Sequence, residues 1–95
     1  MRLYQNYPNP FNPTTAIQFD MRFTSTVTLT ICNMLGQEVA TLINNQQYEP
    51  GTVTVNFNGA DYASGVYFYR VVGQGVDDNA QPFTYTSSNK MLLIK

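Results

Sequence analysis

From Thr14 onward, apolar side chains fall at every second position in short runs, and the runs are separated by glycine, proline, asparagine and aspartate. That two-residue period is the signature of half-buried β-strands, because successive side chains point to opposite faces. Thr14 to Asp20 is a first strand, with Ile17 and Phe19 opposed to Ala16 and Gln18. Met21 to Ser25 turns the chain, and Thr26 to Asn33 alternates cleanly with Val27, Leu29 and Ile31 on one face. Met34-Leu35-Gly36-Gln37 is a tight connection, for which Gly36 is suited, into a strand over Glu38 to Ile43. A helix over Met34 to Ile43 conflicts with Gly36 and the β-branched residues. Asn44 to Gly51 is expected to be a polar loop closed by Pro50-Gly51. Thr52 to Phe57 then places Val53, Val55 and Phe57 inward, and Asn58-Gly59 begins a crossing.

The chain pivots on Ala60 to Val72, reading ADYASGVYFYRVV. Turn chemistry at Asp61, Ser64 and Gly65 runs directly into a β-branched and aromatic strand. Tyr67, Tyr69 and Val71 share one face; Val66, Phe68 and Arg70 share the other. An unpaired buried charge is costly, so Arg70 marks its face as outer and the tyrosine face as core. Gly73 to Gln81 is expected to be a loop, Phe83 to Thr86 a strand, and Ser87 to Asn89 a bend. Lys90 to Lys95 (KMLLIK) closes the chain as a short strand. Its four consecutive apolar residues imply burial on both sides, with flanking lysines guarding against aggregation. About seven short, mainly antiparallel strands and no helical period predict an all-β, immunoglobulin-like β-sandwich.

The beginning of the chain is different. Tyr4 to Pro13 (YQNYPNPFNP) carries Pro8, Pro10 and Pro13, which rule out a central strand and a helix interior. The reading is an extended, semi-rigid spacer, with Tyr4, Tyr7 and Phe11 as anchors that tack it to the sandwich. Residues 1–13 are thus a proline-rich linker leading into the domain, and 14–95 the domain itself.

Composition narrows the function more than the fold. The 95 residues suffice for one core, and only 12% of them are charged. Five dispersed cations and a net charge of −1 make no basic stripe, so nucleic acid is not an expected partner. No apolar run reaches membrane-spanning length, and Met1 opens no signal peptide. With no histidine, the lone Cys32 lacks a base and reads as a small strand residue. The acids fall in separate loops without catalytic spacing, and Asp77-Asp78-Asn79 lacks the ligand spacing of a calcium loop. No enzyme activity, cofactor or metal is expected. The alternative functions are a carbohydrate-binding module, for which aromatic residues are plentiful, and a structural immunoglobulin-like spacer of a secreted multidomain enzyme.

Four ordered motifs go further: Tyr7 to Thr15 (YPNPFNPTT), Met34 to Val39 (MLGQEV), Ala63 to Arg70 (ASGVYFYR) and Lys90 to Lys95. Together they resemble the C-terminal sorting domain of the type IX (Por) secretion system, type A, which is similar to immunoglobulin-like modules of flagellar hook-capping proteins. The resemblance implies a non-catalytic signal at the end of a larger protein exported by Bacteroidetes and their relatives. The passenger upstream would reach the periplasm by an ordinary signal peptide. The outer-membrane type IX translocon would then read the domain, and a sortase-like surface protease would often remove it as the passenger is released or retained at the cell surface. Lys90, Met91, Leu92, Leu93, Ile94 and Lys95 match the terminal signal element; Ser64 to Tyr67 match the corner before the central strand. Pro8, Pro10, Pro13, Gly36, Gly65, Tyr67 and Tyr69 are expected to be structural. A cut would fall at or before Tyr7 to Pro13. Between Val72 and Lys90 the chain is longer than the family pattern. A terminal strand of this kind offers backbone groups for addition to a receptor's sheet, with Met91/Leu93 and Leu92/Ile94 as its two faces. Val66 and Phe68 are a second candidate contact.

Overall fold

Alternating burial pulls the chain into two facing sheets. The computed structural model describes residues 1–95 and contains seven strands and no helix. They are β1 (Arg2–Leu3), β2 (Thr14–Met21), β3 (Ser25–Asn33), β4 (Glu38–Tyr48), β5 (Gly51–Asn58), β6 (Gly65–Val76) and β7 (Pro82–Leu93). One sheet has the order β1-β2-β5 and the other β4-β3-β6-β7, with every ladder antiparallel. The all-β, immunoglobulin-like sandwich expected from the sequence is present. Tyr67 adds a detail of such folds: its hydroxyl donates to the Ala63 carbonyl at 2.6 Å, reaching back across the corner that precedes its strand.

The core lies between the sheets and follows the predicted parity. Ile17 and Phe19 of β2, Val27, Leu29 and Ile31 of β3, Phe57 of β5, and Tyr67, Tyr69 and Val71 of β6 are all buried. Arg70 is on the outer face, where it pairs loosely with Glu38 at 3.7 Å. With both side chains about half exposed, the pair adds little to stability.

The strands run longer than the sequence reading, and the count is reached differently. Asn44 to Tyr48 continue β4, although a loop is expected there. The strand accommodates this polar stretch because β4 is an edge strand with irregular register against β3. At one irregularity Asn45 takes φ 55° and donates its amide to the Thr28 hydroxyl at 3.1 Å. Gly73 to Val76 continue β6 rather than forming a loop. A Cβ at Gly73 would run into the Met1 side chain, and one at Gly75 into the Thr24 carbonyl and the Phe83 ring. Both glycines therefore permit close approach inside a strand. The connection to β7 shrinks to Asp77 to Gln81, where the Asp77 carboxylate accepts the amides of Asn79 and Gln81.

Ser87 to Asn89 do not bend, so the two expected final strands are one twelve-residue strand paired with β6 throughout. The seventh strand is instead β1 at the start of the chain. The proline-rich segment that follows is not a free spacer. It crosses from one sheet to the other: Tyr7 bridges Ala16 of β2 in antiparallel fashion, and Phe11 bridges Leu93 of β7 in parallel. The peptide bonds preceding Pro8, Pro10 and Pro13 are cis.

Candidate recognition surface at the closing strand

The closing residues are held from three directions. Gly65 to Phe68 of β6 pair in order with Leu93 back to Lys90. The Lys95 amide donates to the Ser64 hydroxyl at 3.0 Å, and its ammonium donates to the Ala60 carbonyl. The corner motif and the terminal motif therefore form one unit. Gly65 takes φ 154° at the start of β6, a conformation side chains disfavour, which fixes the direction in which the strand leaves the corner.

The third support is the proline-rich segment, which lies along the outer edge of β7 as a strap. Phe11 donates its amide to the Leu92 carbonyl at 2.9 Å, and the Ile94 amide donates to the Phe11 carbonyl at 3.0 Å. The Leu92 amide donates to Asn9 Oδ1 at 3.0 Å, and Gln5 Nε2 donates to the Lys90 carbonyl at 2.9 Å. Every outward backbone bond seen at Lys90, Leu92 and Ile94 thus goes to the strap. The Phe11 ring is buried beside Phe57, centroids 6.0 Å apart, over a backbone left open by Gly59.

Deeper along the strap, polar groups rather than apolar ones are fastened. The Tyr69 hydroxyl donates to the Tyr4 carbonyl at 2.8 Å and accepts the Asn6 amide at 2.8 Å. It also accepts Asn89 Nδ2 at 3.2 Å. Asn6, itself buried, donates to the hydroxyl of Thr15 and the carbonyl of Pro8. Burial raises the Tyr69 hydroxyl above its ordinary pKa, so it stays protonated and able to donate. At the chain start, the Tyr4 hydroxyl donates to Asp20, which also accepts from Thr52; both bonds lower the Asp20 pKa, and the first raises that of Tyr4.

Of the expected terminal element, only half is readable from outside. Met91 and Leu93 are buried in the core, so burial on both sides does not hold and that face is closed to a receptor. Leu92 is half-buried on the outer face, Ile94 is 48% exposed, and Lys90 and Lys95 are exposed. Leu92 pairs with Val66, and Lys90 with Phe68, which is 38% exposed. Phe68 pairs in turn with Cys32 on β3. Shallow hollows flank this row. One of about 170 Å³ is lined by Asn9, Val66, Lys90, Met91 and Leu92; another of about 260 Å³ involves Cys32, Met34, Phe68 and Arg70.

Met34 and Leu35 sit at the same end, 72% and 83% exposed at the tip of the β3–β4 turn. The turn is rigidly built: Asn33 Oδ1 accepts the amides of Leu35 and Gln37, Asn33 Nδ2 donates to Gln37 Oε1, and Gly36 takes φ 82°. Three of the four sequence motifs thus place apolar side chains on one end of one sheet face. A family model described as the secretion system C-terminal sorting domain matches residues 5–80.

The chain belongs to this family, the type IX secretion sorting domains. The match on this sorting domain runs from the strap through β6 and stops before β7, so the closing strand lies outside it. No curated protein and no solved structure matches the chain. As a type IX sorting domain it belongs to a system that delivers an upstream passenger to the cell surface or beyond. No helix is long and apolar enough to cross a membrane, and no group of three or more His, Cys, Asp or Glu side chains is placed to hold a metal.

Two features escaped the sequence reading. The exposure of Met34 and Leu35 had a local signal, since an Asn-x-x-Gly turn leaves its middle residues no inner face. The docking of Asn9 to Phe11 on Leu92 to Ile94 joins opposite ends of the chain and had none.

Proposed function

We propose that this sorting domain is a non-catalytic signal read by the outer-membrane translocon through the outward side chains of its closing strand. Leu92 and Ile94 form the contact, Val66 and Phe68 extend it across the sheet, and Lys90 and Lys95 rim it. Its passage through the periplasm precedes the reading, and cleavage by a surface protease at or before Tyr7 to Pro13 follows it. The residues before Thr14 then serve as the lead-in to the domain as well as the strap.

The observation that supports this reading is the convergence of exposed Met34, Leu35, Phe68 and Ile94 with half-buried Val66 and Leu92 at one end of a family member. Such clusters mark interaction sites when they are contiguous. A glycan module is less well supported, because sugar binding uses exposed rings. Among the aromatics only Tyr7 is strongly exposed and Phe68 moderately so, and the two lie on different parts of the chain.

Removing Lys90 to Lys95 would also take Met91 and Leu93 from the core, so surface substitution is the cleaner test. A signal peptide and fluorescent passenger fused ahead of the domain are expressed in a host with a type IX system. Leu92→Asp with Ile94→Asp is expected to leave the domain folded and the passenger in the periplasm. Undiminished passenger outside the cell would refute reading through this strand.

A further inference from the structure

The outer edge of β7 has a single occupant, the strap, and it covers only the end of the strand. Along Lys90 to Ile94 the strap bonds to the backbone, but it does so sparsely. Within Pro8 to Pro13 three residues lack an amide proton, and the only backbone-to-backbone bonds to β7 are those of Phe11. Leu92 receives a side-chain oxygen from Asn9 where a true strand would offer a carbonyl. The strap therefore imitates an added strand, anchored by one buried aromatic ring, without the regular ladder that holds one in place.

We propose that Asn9 to Phe11 form a displaceable cap on the closing strand, exchanged during recognition for an extended segment of the secretion machinery. The inference rests on the reading that the closing strand is the signal. The incoming segment pairs with Leu92 and Ile94 as a strand, and its backbone completes the ladder that the prolines leave incomplete. It also needs one bulky apolar side chain, because the place that Phe11 occupies between Phe57, Gly59 and Leu93 is buried and apolar. The Asn6–Tyr69–Tyr4 anchor, a few residues earlier in the strap, holds the remainder in place, so release is local to the capped edge.

The test uses the intact chain and the Asn9→Ala variant, which loses only an exposed side chain and its bond to the Leu92 amide. Amide exchange at Leu92 and Ile94 is expected to rise about five- to tenfold, with Leu29 in β3 unchanged. A fluorescent peptide of residues 5–13 should bind the variant at least about fivefold more tightly than the parent, and its counterpart with aspartate at the Phe11 position should bind neither. Export of the fused passenger should be maintained or accelerated. Gln5→Ala, which frees the Lys90 carbonyl, repeats the test from the other side of the strap.

Unchanged exchange at Leu92 and Ile94, or equal peptide affinity for variant and parent, overturns the cap. So does self-association of the variant without peptide binding, which would make the strap a guard against edge pairing. Reduced export by a folded Asn9→Ala domain also overturns it, since the strap would then be part of what is read. The peptide and exchange readouts need no secretion. Export that survives Leu92→Asp with Ile94→Asp would instead sink the recognition reading, leaving those two readouts to judge the cap alone.

Discussion

The two halves of β7 share one strand and one partner, yet they are built on opposite terms. From Asn89 to Leu93 the strand is anchored on both sides, with Met91 and Leu93 in the core and the strap along the edge. From Pro82 to Ser88 it pairs with β6 alone, its side chains are half-buried or exposed, and no backbone bond is made on the outer side. The sequence PFTYTSS is uncharged; it begins at Pro82, and Lys90 follows it after Asn89. The contrast shows that strand length and strand security are separate properties. Pairing with β6 extends the strand; burial and the strap decide how hard each part is to open.

The sharpest way to break this contrast is Phe11→Ala. It removes the one aromatic ring of the strap from the core, and the expected loss is ~3–5 kcal/mol of stability in urea unfolding. Amide protection should fall first at Ile94, whose amide donates to Phe11, with Thr84 to Ser88 unaffected. A loss spread evenly along β7 would show that the two halves open as one.

Next in size is Tyr69→Phe, which leaves the buried Asn6 amide without its acceptor and the Tyr4 carbonyl with Asn89 Nδ2 at 3.3 Å as its remaining donor, and is expected to cost ~1–3 kcal/mol. Its pH dependence identifies the cause. The folded pKa of Tyr69 is raised, so its contribution is complete below the ordinary tyrosine value of 10.0 and declines as pH rises through the folded value. Tyr4 acts in the same sense through its bond to Asp20. Thermal stability should therefore fall above about pH 10, and Tyr69→Phe should flatten that decline in part. At the acid end Asp20 has a lowered pKa, so its contribution is present above the ordinary aspartate value of 3.8 and is lost as pH falls below it. Asp20→Asn should remove that acid sensitivity, read as melting temperature against pH.

The smallest effect is expected in the open half. Thr86→Lys places a charge on the unpaired edge and should change stability by no more than ~0.5 kcal/mol. It should also suppress any concentration-dependent association seen by sedentimentation, because lysine on an edge strand discourages further pairing. Phe83 packs on Phe23 and Tyr85 against the core, so a large loss on changing the exposed Thr86 would mean that the outer edge has a further partner.

Much of the scaffold was legible because its cause is local. Ile17/Phe19, Val27/Leu29/Ile31 and Tyr67/Tyr69/Val71 declare their inner face by alternation, and Arg70 fixes the outer one. The strand ends were not legible, since Gly73, Gly75 and Asn44 to Gln47 read as loop by composition while their positions are set by neighbours from other elements. The site was half legible. Parity separates Leu92/Ile94 from Met91/Leu93, but KMLLIK alone does not say which pair faces the core. That choice is made by β6, through the pairing of Tyr67 with Met91.

The parallel bridge between Phe11 and Leu93 has a mechanical consequence. Met1 packs on Gly73, near the far end of β6, while Lys95 is tied to Ser64 at the corner where β6 begins. The two contacts are separated by roughly 30 Å along the strand direction. Tension between an upstream passenger and a grip on Lys95 would pull the strap and β7 past each other along their shared axis. The bonds that join them lie across that axis and would bear the load together instead of parting in sequence. The domain is thus strung to resist being drawn out by its ends, while the same bonds remain open to a competitor arriving from the side.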